Sequence, residues 1–249
     1  MYYVFVSSSL PRLNIHQEPS IAFEELMDLI ELNFSRNDKK IIWQIRELFD
    51  LFNLQRQLYG YTISNFGNYN KKQLQDLLHL ESLPSYIFDF FSDYQNPEEQ
   101  KKHFPELLAR FYREKLEGNG FLKKFYHLLR TFTLMQVAFR CKKIQRNVDR
   151  ELEFEDTKDE IVHHILTQRD VAEFQPVDGF EKLKPIFDTY FEDPKKLYFE
   201  TIKFLFNKLE AQKSVFLGKE YFFIYFAQFI LLEKLYRSYV QEEFLKMLF

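Results

Sequence analysis

Apolar residues recur along most of this chain at intervals of three and four, the spacing that lays a stripe down one side of an α-helix. Phe23, Leu26, Met27, Ile30 and Phe34 form the first stripe, with Ser20 as a candidate cap. Asp38 opens the next, carried by Ile41, Ile45, Leu48 and Phe52 and stopped at Gly60. Tyr61 to Asn70, with Gly67 and three Asn, reads as a loop. Short helices are expected from Asn70 to Leu80 and from Pro84 to Asp93. Asn96-Pro97-Glu98-Glu99 combines a capping Asn, a first-turn Pro and acids at the positive end of the helix dipole. Pro105 should kink or break that helix, and Gly118-Asn119-Gly120 should end it.

Phe121, Phe125, Leu128, Phe132, Met135 and Phe139 predict a long helix from Phe121 to Arg150. Thr157 with Glu160, and Asp178 with Glu181, have capping-box spacing, and Pro185 should interrupt the helix that the second pair opens. Asp193-Pro194 opens a helix to about Lys213, and a last helix runs from Gly218 to the C-terminus. In its stretch Tyr221 to Leu232 apolar residues go all the way round, so it must be covered on every side. Only Tyr2 to Ser7 prefers an extended state, and no second strand candidate follows to pair with it. The expectation is one all-α domain over residues 1–249, with nine or ten helices, a short extended N-terminal segment and a hinge near 170–179.

Composition narrows the function classes. Thirty Phe, fifteen Tyr and one Trp stand against six Gly, and phosphate-cradling loops need Gly for close backbone approach. The phosphate-loop and dinucleotide motifs are absent, as is a Gly-x-Ser-x-Gly elbow. Cys141 stands alone, so no intramolecular disulfide forms. The longest uncharged apolar stretch near the end has twelve residues, too short to span a membrane, and the N-terminus lacks the basic start of a signal peptide. A cytoplasmic protein with no cofactor and no nucleic-acid partner is expected.

Candidate chemistry is sparse. Glu160 and His163 have the Glu-x-x-His spacing of a bundle metal site, but the motif occurs once. With His164 beside them they would matter to an enzyme only in a deep polar pocket; no catalytic centre is expected. Charge is segregated around residue 150. Residues 121–150 carry eight basic side chains against Asp149, whereas Glu151 to Glu160 carry six acids and one Lys. Lys142, Arg146 and Arg150 recur every four residues, with Arg140 and Lys143 nearby. That face is either a solvated flank neutralised by the acidic turn or a docking surface for an acidic protein.

Both ends of the chain resemble a known family. Tyr2-Tyr3-Val-Phe-Val-Ser-Ser-Ser-Leu10-Pro11-Arg-Leu13 is similar to the opening of an uncharacterised bacterial family encoded among V-type (A/V-type) ATPase subunit genes. Its final helix resembles the run from Ile224-Tyr225 to Glu233 and Arg237. Separately, Asp50, Asn53, Leu54 and Arg56 resemble a helix motif of the socket subunit of V-type ATPases, lettered C, or d in eukaryotes. That resemblance implies three similar helical subdomains, marked here by Arg56, Arg140 and Arg237. It also implies a non-catalytic linker between central shaft and membrane rotor ring, peripheral to the membrane through the ATPase.

Overall fold

Short polar side chains ahead of apolar stripes set the helix starts. The computed structural model describes Val6 and residues 8–80, 82–213 and 218–238, apart from the side chains of Arg237 and Ser238. Among these residues there are eleven helices and no strand. They are α1 (Phe23–Asn33), α2 (Arg36–Leu58), α3 (Lys71–His79), α4 (Ser85–Asp93), α5 (Pro97–Glu117), α6 (Gly120–Ile144), α7 (Val148–Glu151), α8 (Glu160–Thr167), α9 (Leu183–Tyr190), α10 (Pro194–Ala211) and α11 (Lys219–Ser238).

Three starts follow the sequence closely. Asn70 and Gln73 exchange bonds of 2.9 Å in a capping box. The Asn96 side chain accepts from Glu98 N–H, and that of Asp193 accepts from Lys196 N–H. Others differ. Ser35, not Asp38, is the cap of α2; its Oγ accepts from the Asp38 N–H while its hydroxyl donates to the Asp38 carboxylate. Ser20 caps nothing, and α1 starts after Ala22 without a side-chain cap. The cap of α8 is Asp159 rather than Thr157, accepting from the N–H groups of Ile161 and Val162. Glu181 accepts from Gly179 N–H instead of closing a box with Asp178.

The two prolines do not interrupt their helices. Pro105 lies inside α5, whose Phe104, Leu107 and Phe111 are buried; that packing outweighs one lost backbone bond. Pro185 is the third residue of α9, where an N–H has no partner within the helix anyway.

The long helix expected to reach Arg150 stops at Ile144. Gln145 adopts φ +53°, Arg146 N–H donates to Cys141 O at 2.9 Å and Gln145 N–H to Lys142 O at 3.4 Å. This is the Schellman end, which usually takes glycine. Gly60 closes α2 identically at φ +75°, with Tyr61 N–H on Arg56 O.

Most of Tyr2 to Ser7 lies outside the described residues. Val6, Ser8 and Ser9 are helical rather than extended, with Leu10 N–H on Val6 O and Val6 fully buried. The expected run of the last helix beyond Ser238 also lies outside.

Contacts divide the chain into two compact units, where the resemblance implied three. The first comprises 1–42, 134–147 and 167–249, and the second 43–133 and 148–166. In the first, α11 is covered all round: Phe222, Phe226, Phe229, Ile230, Leu232 and Leu235 are fully buried. Phe34 packs on Phe222 with ring centroids 4.2 Å apart. Segment 170–179 lies inside this unit, fastened by paired bonds between Gln168 and Gln175 and by Phe174 against Phe139. In the second, Phe111 meets Tyr126 edge-on at 5.1 Å, and the Tyr126 hydroxyl donates to Gln44 O. Buried Arg130 pairs with Glu155 at 2.6 Å and Asp159 at 2.9 Å.

Candidate functional site

Helix α2 should bury an apolar stripe, yet two polar residues, Asp50 and Asn53, are 6 % and 0 % exposed on it. Expected stripe members Ile41 and Phe52 are only half-buried, while Ile42, Leu51 and Leu54 are buried. The reason is the loop after α2, which folds back over the helix and brings backbone polar groups that need partners.

Four side chains supply them. Asp50 Oδ1 accepts from Asn68 N–H at 2.6 Å and Tyr69 N–H at 3.2 Å, and Oδ2 accepts from Asn68 Nδ2 at 2.8 Å. Asn53 Nδ2 donates to Ser64 O at 2.9 Å, and its Oδ1 accepts from Ser64 N–H at 2.8 Å. Arg56 Nε donates to Thr62 O. Arg46 Nε donates to Phe66 O at 2.9 Å, and its Nη2 reaches Asn65 O and Gly67 O. Spacings of four, three and three put these residues on one helix face. The loop is therefore clamped by a cation on its carbonyl side and a carboxylate on its amide side. Gly67 permits the approach: a Cβ there would stand 2.5 Å from Asp50 Oδ1 and 2.7 Å from Asn53 Nδ2.

Burial raises the Asp50 carboxyl to about 6, against the hydrogen bonds from Asn68 and Tyr69 and the charge of Arg46, which hold it down. The net rise shows that desolvation outweighs them. Burial lowers the Arg46 guanidinium, opposed by the charge of Asp50. The arrangement orders a loop over a buried carboxyl.

The other sequence candidates are dispersed. Tyr225, on α11, donates from its hydroxyl to Pro11 O at 3.0 Å. Glu233 is buried on the same helix. Arg237 lies in that helix, its side chain outside the described residues. Of the basic cluster, Lys142 Nζ donates to Arg169 O and Val171 O at 2.6 Å each, and Lys143 pairs with Asp188 at 2.6 Å. Arg140 is half-buried, and Arg146 is exposed beyond the helix end. Arg150 belongs to the second unit. The four-residue recurrence of Lys142, Arg146 and Arg150 is thus no helical stripe, because the chain turns at Gln145. The acidic run supplies Glu155 and Asp159 to Arg130.

Glu160 and His163 are exposed on α8, and Cys141 is buried. Among the described residues no group of three or more His, Cys, Asp or Glu is placed to hold a metal ion. No helix among them is long and apolar enough to cross a membrane. Sequence reasoning singled out Asp50, Asn53 and Arg56 but missed Arg46, Asn68 and Gly67. The signal for Arg46 was its place four residues before Asp50; Asn68 and Gly67 read only as loop composition.

The fold and this clamp define an all-helical protein of two units in which Arg46, Asp50, Asn53 and Arg56 hold the backbone of the loop after α2. The chain belongs to the family described as protein of unknown function DUF2764, whose model matches residues 1–244. An uncharacterised protein of Chlamydia trachomatis serovar D is 28 % identical over 215 residues, covering 83 % of this chain and 80 % of that one. One from Chlamydia muridarum is 26 % identical over 216 residues, with 84 % and 81 % covered. One from Chlamydia pneumoniae is 24 % identical over 217 residues, with 84 % and 82 % covered. No solved structure matches.

Proposed function

We propose that this protein is a non-catalytic accessory component of a V-type ATPase, working by contact in the manner of the socket subunit between central shaft and rotor ring. The observation that supports this reading is that the two segments resembling the ATPase-associated family pack on each other. Tyr225 on α11 holds Pro11 O at 3.0 Å, and Tyr236 holds Ile15 O at 3.2 Å. Ile15 shares a buried cluster with Ile202, Phe206, Leu232 and Leu235, against which Leu13 packs. Residues that suggest the relationship are thus residues that build one unit. Helical units of this kind suit work by contact, and the clamp on α2 ties down the loop that follows it.

The test is affinity capture of tagged protein from gently extracted membranes, with V-type ATPase subunits quantified by mass spectrometry. Recovery of shaft and ring subunits in stoichiometric amounts is expected. Capture that yields none of them, from cells in which the ATPase is assembled, overturns the proposal.

A further inference from the structure

The loop clamp contains a group with two alternative partners. Asn68 Nδ2 donates at once to Asp50 Oδ2 at 2.8 Å and to Trp43 O at 3.0 Å. Its other terminal atom, Oδ1, is buried and meets no hydrogen-bond donor. A half-turn of the carboxamide exchanges the two atoms. Oδ1 would then stand against Asp50 Oδ2, an arrangement that is repulsive for a carboxylate and a hydrogen bond for a carboxylic acid. The half-turn satisfies the orphaned oxygen but forfeits the bond to Trp43 O, brings Oδ1 against that carbonyl and leaves the amide N–H groups where Oδ1 stood, so only a bond from a protonated Asp50 favours it. In both arrangements Asp50 Oδ1 keeps the backbone N–H groups of Asn68 and Tyr69. The carboxylate therefore requires the donating orientation of Asn68, and the turned orientation is open only to the carboxylic acid.

We propose that Asp50 and Asn68 form a proton-operated latch that sets how firmly the 61–69 loop is held against α2. With the carboxyl neutral, Asp50 Oδ2–H donates to Asn68 Oδ1, and the Arg46 cation on the loop carbonyls is the charge that remains under the loop. With the proton lost, Asn68 turns to donate, and the buried carboxylate gains by each opening of the loop that admits water. Rising pH loosens the latch and falling pH tightens it.

The sign follows from linkage: the closed loop binds the proton more tightly than the open one, so protons favour closure. Arg46 on the same helix, Tyr69 on the loop, Tyr86 on α4 and Tyr126 on α6 are electrostatically coupled to Asp50. Burial raises all three phenols above their ordinary range, so they remain neutral while Asp50 titrates. Glu47, one residue after Arg46, is paired with Lys115 of α5 at 2.6 Å. This inference concerns regulation of the loop and stands independently of the ATPase reading.

Residue-resolved hydrogen exchange on the full chain tests it, read as protection of the Asn68 and Tyr69 amides after correction for intrinsic rates. Protection should fall about tenfold between roughly pH 5 and pH 7, given a closed-loop value near 6 and an ordinary carboxylate when open. Asp50→Asn should abolish the pH dependence and hold protection at the acid-side level, because its amide still accepts two backbone bonds and can donate to Asn68 Oδ1. A flat profile in the unmodified protein, or an equal slope in Asp50→Asn, overturns the latch. Should Asp50→Asn fail to fold, NMR of the unmodified chain decides. The Asn68 side-chain amide signals must move with the same midpoint as the Asp50 carboxyl carbon, and signals that do not follow it overturn the proposal.

Discussion

At Asp50 a single carboxylate sits between water's attraction for charge and a loop's need for acceptors. Replacing it with Ala leaves the N–H groups of Asn68 and Tyr69 without an acceptor, and such groups cost about 1–3 kcal/mol each. Asp50→Ala should therefore lower stability by about 2–6 kcal/mol in urea unfolding at about pH 4, and Asp50→Asn by far less. The pH profile has a definite sign. The native carboxyl titrates at about 6 against an ordinary value of 3.8, so its contribution is full below about 4 and is lost as pH rises through 6. Integrated, it amounts to about 3 kcal/mol. The difference in stability between the unmodified chain and Asp50→Asn, followed across this window, measures it. Gly67→Ala places a methyl group against Asp50 and Asn53 and should cost about 1–3 kcal/mol by overpacking. Asp50, Asn53 and Arg56 stood out only through their resemblance to a helix motif of the V-type ATPase socket subunit. Asn68 and Gly67 did not, because their roles depend on where a flexible loop lands.

Among elements, the contrast between Gly60 and Gln145 shows where pattern reading succeeds. Both occupy the left-handed position of the same helix-ending motif. Gly60 announces itself, whereas Gln145 sits inside a run of periodic residues and gives no local warning. Its strain is offset by tertiary contacts of the turn before it: Cys141 is buried, and Lys142 is bonded to the 169–171 backbone. Gln145→Gly should raise stability by roughly 1 kcal/mol, seen as a higher urea midpoint with unchanged slope. Asp159 caps α8 and pairs with Arg130. Burial raises its carboxyl, but Arg130 and the two amides outweigh this and hold it below the ordinary range. Its stabilising effect is thus present above about pH 4 and lost on acidification through its lowered native value. Asp159→Ala should cost more than the roughly 1 kcal/mol of a simple cap.

At the largest scale, two segments far apart in the chain are joined within the first unit. Tyr225 reaches Pro11 and Tyr236 reaches Ile15 across more than two hundred residues. Each phenol-to-carbonyl bond contributes about 1 kcal/mol. Tyr225→Phe and Tyr236→Phe should each lower stability by that amount, with the double variant close to the sum in chemical denaturation. If the ATPase reading is right, these substitutions leave recovery of the shaft and ring proteins intact while the unit remains folded. The aromatic surplus is spent on such packing, with α11 buried on every side.

The helical class, the helix starts at Asn70, Asn96 and Asp193 and most members of the apolar stripes were determined by the sequence, because a 3.6-residue period and a capping side chain act over a few neighbouring residues. The end of α6, the passage of α5 through Pro105 and the burial of Asp50 were decided only in the tertiary structure. In each, contacts from distant segments outweigh a local preference of a few kcal/mol, and no neighbouring residue records them.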